Sequence, residues 1–270
     1  MADGILTAAA AVTQALFLVG GVYVYLALAR QISAQRPAEL ELPEKTFGLV
    51  DLIVASGLMA LYLWNALLSS KHSGKQDLSV NDLIVNVLFS AAVLIIVAAV
   101  VHFRGIDVSR LAGWAKLGFA RTLMTGTILL FAAYPLIIVA DTLTQRLLGT
   151  PSSKQNIIEL FTDSQTLQQR VLIIVLAVAV APVVEEFIFR FLVYGVVKRY
   201  LGRFVGLLVN AALFAAVHAH LPSAGPLFVL AVCFTLAYEW SGSLLVCMTM
   251  HALFNGITLT ALAFPDILRQ

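Results

Sequence analysis

The chain has 270 residues, of which 60% are hydrophobic and only 12% charged, about half the roughly 25% charged content of soluble domains. With a mean hydropathy of +0.94, a single water-soluble domain is excluded. The formal charge of +2, spread over scattered Lys and Arg, excludes the basic stripe that a nucleic-acid partner requires.

About 20 apolar residues cross a hydrocarbon core of ~30 Å, and the apolar runs give about eight spans. They fall near 5–29, 47–68, 80–103, 120–147, 170–197, 204–220, 225–240 and 243–263. The expected fold is an all-α, polytopic membrane helix bundle. The first run has no Lys or Arg before it, only Asp3, and reads as a span, not a cleaved signal. Segment 106–118 sets Ile106, Trp114 and Leu117 among Arg110 and Lys116, a pattern suited to a helix at headgroup level. Segment 149–170 is the longest polar stretch and reads as a linker between N-terminal helices (1–168) and a C-terminal core (169–270) within one membrane domain. Cys233 and Cys247 lie inside apolar runs and are too few to frame disulfides or a metal site.

The loops after spans one, three and five hold ten basic residues: Arg30, Arg36, Lys45, Arg104, Arg110, Lys116, Arg121, Lys198, Arg199 and Arg203. The other side holds six, Lys71, Lys75, Arg146, Lys154, Arg170 and Arg269. The excess places the ten-charge side in the cytoplasm and both termini outside.

Ionisable groups within a span cost roughly 2.5–3.5 kcal/mol each at the helix centre, so they mark function by default. Span five carries Glu185, Glu186 and Arg190. At i and i+4, Glu186 and Arg190 share a face and can pair, while Glu185 lies ~100° round and stays unpaired. Pro182, one turn earlier, cannot donate to the carbonyl of Val178 and kinks the helix before the acidic pair. Span six ends with Phe214 and His218 at i and i+4, and span eight carries His251 and Asn255 at the same spacing. Taken singly, each histidine reads as an interhelical hydrogen-bond partner.

Depth changes that reading. At a rise of 1.5 Å per residue, Glu185 lies about 20 Å along its span from Lys198, His218 about 22 Å from Arg203 and Asn255 about 20 Å from Gly242. These three share a level, and His251, at about 14 Å, lies one turn nearer the cytoplasm. A carboxylate with an imidazole can activate a water, and His with Asn can hold a developing oxyanion, an inventory that fits amide hydrolysis. The sequence contains no GxSxG, HExxH or CxxC. His220 reads as a loop or interface residue, and His102, Asp141 and Glu239, close to span ends, as snorkelling side chains.

The ordered set Glu185-Glu186-x-x-x-Arg190, Phe214-x-x-x-His218 and His251-x-x-x-Asn255 resembles the CPBP family of intramembrane proteases. That family holds the type II CAAX prenyl endopeptidases and bacterial relatives tied to bacteriocin self-immunity. The resemblance covers roughly 170–258. Where the family tends to carry small residues, often glycine, four apart, this chain has Ala231 and Thr235. The resemblance implies that Glu185 and His218 activate the attacking water, that His251 and Asn255 stabilise the oxyanion, and that Glu186 and Arg190 support them. It leaves two mechanisms open. In one, Glu185, His218 and His251 supply three ligands to a zinc ion with water as the fourth, as in a metalloendopeptidase; in the other, a Glu–His dyad works without a metal. The implied partners are the lipid bilayer and a membrane-associated or lipidated peptide, reached through a site open to the cytoplasm, in the plasma or inner membrane if the source is prokaryotic. A non-catalytic membrane partner on the same scaffold, such as an immunity or sensor-regulating protein, and a proton-coupled carrier are the alternatives. Inverted repeats, which would favour the carrier, are absent from the sequence.

Overall fold

Ser79 and Asp82 cap each other's backbone at the start of the third span, Ser79 N–H donating to Asp82 Oδ2 at 2.9 Å and Asp82 N–H to Ser79 Oγ at 3.3 Å. Thr166 and Gln169 form the same reciprocal box at the start of the fifth, so each helix begins where its own side chains satisfy the first free amides. The computed structural model describes residues 2–34, 47–71, 79–149, 161–164 and 166–264. Its helices are α1 (Ala2–Ala34), α2 (Leu49–Lys71), α3 (Val80–Phe103), the short α4 (Val108–Ala112), α5 (Phe119–Leu148), α6 (167–201), α7 (203–217), α8 (Ala224–Ser241) and α9 (Leu244–Ala263). Arg36, Lys45, Lys75, Lys154 and Arg269, and most of the expected linker, lie outside the described residues.

Seven helical runs among the described residues are long and apolar enough to cross a bilayer, and one of them, Leu167–Val217, has 51 residues. At the α-helical rise that run would extend about 76 Å, more than twice the hydrocarbon thickness. Gly202 breaks it with φ 81° and ψ 170°, a conformation open essentially to glycine alone. The chain doubles back there. A Cβ on Gly206 would touch the backbone of Lys198, and the rings of Phe189 and Phe214 meet edge to face at 5.1 Å. Spans five and six of the sequence are therefore the two arms of this hairpin, and the expected bundle of about eight helices is the one observed.

The C-terminal helices pack on α5. Gly126 of α5 lies against Thr249 of α9, and Gly225 of α8 against Thr144 of α5. Around this core, α1 crosses α5 where Tyr25 Oη donates to the Leu129 carbonyl at 2.8 Å, the residues just before α2 meet α6 through an edge-to-face pair of Phe47 and Phe191, and α3 borders the first half of α6. Outward-facing side chains such as Phe119 and Leu147 are more than four-fifths exposed, as expected where the surrounding solvent is hydrocarbon.

The loop ends assigned above to the ten-charge side meet at one end of the bundle. Arg203 donates to the Ile32 carbonyl at 2.8 Å, Trp240 Nε1 to Gln31 at 2.7 Å, and Arg104 pairs with the fully buried Asp51 at 3.0 Å. Glu239 is corrected here: instead of snorkelling, its carboxylate takes Lys198 and, at 3.5 Å, Arg203, clamping both arms of the hairpin to α8. His102 and Asp141 stay local, the first beside Phe103, the second accepting from Gln145.

The expected interfacial helix shrinks to the five residues of α4. Asp107 caps it, and hydrogen bonds from the Ser109 hydroxyl and then the Arg110 amide hold its carboxyl below the usual range. The segment docks on protein: Tyr238 Oη donates to the Leu111 carbonyl at 2.8 Å, and a Cβ on Gly113 (φ 64°) would overlap the carbonyl of Gly242. Contacts with the α8–α9 turn thus fix a stretch that amphipathicity alone places among headgroups.

Gly202→Ala is expected to destabilise the protein by ~1–3 kcal/mol through backbone strain, since a Cβ there meets nothing. A lowered thermal unfolding midpoint in detergent checks this.

Candidate active site

The geometry of α6 around the acidic pair departs from an α-helix on both sides. Leu176–Val180 and Phe187–Val193 are π-helical, a wider winding that concentrates at functional sites. Between them, Ala181–Glu186 carries the two carboxylates.

Glu186 and Arg190 are fully buried and paired at 3.1 Å, as their spacing predicts. The guanidinium lies 4.5 Å from the centroid of Phe214 on α7 and 5.2 Å from that of Phe234 on α8. Two aromatic faces thus cover a cation that lipid would not tolerate. The same oxygen, Glu186 Oε1, lies 2.8 Å from His251 Nδ1 of α9. A carboxylate only accepts, so Nδ1 carries a proton and Nε2 is turned away from Glu186.

That Nε2 stands 3.9 Å from Oε2 of Glu185. Glu185 Oε2 is buried and has no hydrogen-bond partner, although the side chain as a whole is 30% exposed. The gap is too wide for a direct hydrogen bond. Tyr62 of α2 stands near enough for its phenol to interact with the Glu185 charge.

His218 occupies the C-cap of α7, half-buried, with Nδ1 at 2.7 Å from the Phe214 carbonyl. A carbonyl only accepts, so here too Nδ1 is protonated and Nε2 is the free, basic nitrogen. The ring stacks obliquely on Phe214 at 4.7 Å, and Phe214 in turn meets the His251 ring at 6.2 Å. The next residue, Ala219, has φ 49°, a left-handed conformation uncommon without glycine. His220 pairs with the Ser223 hydroxyl at 2.7 Å in the α7–α8 turn, the loop position expected of it.

Glu185, Glu186, Arg190 and His251 therefore form one contiguous cluster, joined to His218 through Phe214. Among the described residues no hydrogen bond or ion pair links His218 directly to Glu185. The expected level on α9 is shifted by one turn: His251, not Asn255, reaches the carboxylates. Asn255 lies one turn on, its Nδ2 donating to the Ala177 carbonyl at 2.7 Å. Equal rises along straight helices do not hold where twelve residues of α6 are π-wound. Both free Nε2 atoms and the free Glu185 oxygen are donors of the type a zinc site uses. Among the described residues, however, no three His, Cys, Asp or Glu side chains are gathered closely enough to hold a metal ion.

Residues 167–257 match the family described as Rce1-like, type II CAAX prenyl endopeptidase Rce1-like. Over this stretch, about a third of its length, the chain is similar to that family. No curated protein and no solved structure matches the chain. The matched stretch contains all seven residues of the three motifs, whereas Tyr62 belongs to a helix outside it. Three participants gave no sequence signal: Tyr62, Phe234, an aromatic in an apolar run, and the carbonyl of Ala177. The departure at Ala231 and Thr235 acts in packing: Thr235 Oγ1 donates to the Ala231 carbonyl at 2.8 Å and accepts from the buried Asn210 at 3.1 Å, tying α7 to α8.

Arg190→Met leaves the Glu186 charge buried with one partner fewer and is expected to destabilise by ~3–5 kcal/mol. Adding Glu186→Gln, which removes the charge but keeps the acceptor for His251, should recover part of that loss in thermal melts.

Proposed function

We propose that this protein is an intramembrane endopeptidase that cleaves a peptide bond near a lipidated or membrane-embedded terminus, from a site open to the cytoplasmic side. The observation that carries the reading is the buried, unpartnered Oε2 of Glu185, 3.9 Å from His251 Nε2, on a side chain that is 30% exposed, an uncommitted base that an attacking water can approach from its open side.

Glu185, left free because Arg190 neutralises Glu186, takes a proton from that water. His218, with Nδ1–H fixed on the Phe214 carbonyl, offers Nε2 to share the proton and deliver it to the leaving amine. His251 Nδ1–H is held by Glu186, and with a second proton on Nε2 the ring donates to the oxyanion. Asn255 has two Nδ2 hydrogens; one holds Ala177 and the other is available to the same oxyanion. Neither step requires a metal. The excess of basic residues on the loops at the hairpin end, ten against six, supports a cytoplasmic opening, where a lipid-anchored peptide would approach.

Glu185→Ala and His218→Ala are each expected to slow cleavage of a fluorogenic peptide by the purified protein ~10²–10⁴-fold, with elution profile and thermal midpoint preserved. Cleavage by Glu185→Ala at the original rate overturns the reading. The metal-free mechanism further predicts that activity survives prolonged chelation; activity lost to chelator and restored by zinc would sink it.

A further inference from the structure

We infer that Pro182 is a positioning residue that holds Asn255 in place by leaving the carbonyl of Ala177 without a backbone donor. In the π-helical turn Leu176–Val180, the N–H of Ala181 reaches back five residues to the carbonyl of Leu176. The next rung of that ladder joins residue 182 to the carbonyl of Ala177, not to that of Val178 as an α-helical count gives, and residue 182 is a proline with no N–H. Ala177 is only 5% exposed, so water does not serve that carbonyl, and a buried acceptor needs a partner. The partner is Asn255 Nδ2, 2.7 Å away on α9. The bond fixes one amide hydrogen on α6 and thereby orients the other.

The missing N–H therefore acts at a distance: it sets the rotamer of a side chain 73 positions later in the chain. The inference rests on the reading of Asn255 as an oxyanion donor, and the experiment separates the two.

Asn255→Ala is expected to lower kcat by ~10²–10³, the loss typical of one oxyanion donor, with KM little changed. Pro182→Ala restores an N–H that competes for the Ala177 carbonyl, and should lower kcat about tenfold, within the range for a misplaced catalytic group. The double variant should be no slower than Asn255→Ala alone, because the proline acts only through the amide. A second readout is independent of activity. In protein labelled with ¹⁵N-asparagine, the side-chain amide signal of Asn255, assigned by its disappearance in Asn255→Ala, should shift in Pro182→Ala. Pro182→Val carries the same restored N–H and replaces the alanine variant if that one does not fold. If Asn255→Ala cleaves at the original rate, the oxyanion reading fails while the amide signal still reports on the proline. If Asn255→Ala is slow but Pro182→Ala leaves both kcat and the signal unmoved, or the two losses multiply in the double variant, the inference is overturned.

Discussion

One oxygen organises the site. Glu186 Oε1 accepts from the guanidinium of Arg190 within its own helix and from the imidazole of His251 on another. A charge at this depth persists only with partners, and the partners are drawn from three sides: a cation on the same helix, aromatic faces on α7 and α8, and the α9 histidine. Each element that approaches Glu186 brings something further. The winding of α6 that presents Arg190 also presents Glu185; the α7 ring that covers the guanidinium supports His218; and the α9 turn that delivers His251 continues to Asn255. Burying one ion pair thus draws together residues with other work to do.

Much of this was legible in the amino-acid order because the membrane narrows the alternatives. Hydrocarbon thickness sets the length of a span, so apolar runs and their breaks mark the eight long helices, α1 to α3 and α5 to α9, closely, and the hairpin falls in the break between the fifth and sixth runs. The cost of intramembrane charge made Glu185, Glu186 and Arg190 conspicuous, and a four-residue spacing sufficed to pair the last two.

What could not be read depends on winding and on distant contacts. The π turns flanking the acidic pair leave no periodicity signal, so a ladder of equal rises put Asn255 at the carboxylate level and His251 below it. Glu239 looked like a span-end acid because Lys198 and Arg203, its partners, are about 40 residues away in the chain. The amphipathic stretch around Trp114 carries a true preference for an interface, but the interface it finds is the α8–α9 turn, through a tyrosine 127 residues from its acceptor. Local pattern specifies that a side chain wants burial or a counter-charge, and tertiary packing decides which one it gets.

The reversal at Gly202 bears on the order in which the molecule is made. Glu186, Arg190 and Phe214 all lie on the two arms that this glycine joins, so when the ribosome has delivered residue 217 the guanidinium already has its carboxylate and one of its two rings. A helical hairpin entering the bilayer as a unit carries its most expensive charge in a neutralised form, through contacts that close a short loop. The imidazole of His251 comes last. The translocating chain therefore meets no stage at which a naked arginine must wait in lipid for the final helix.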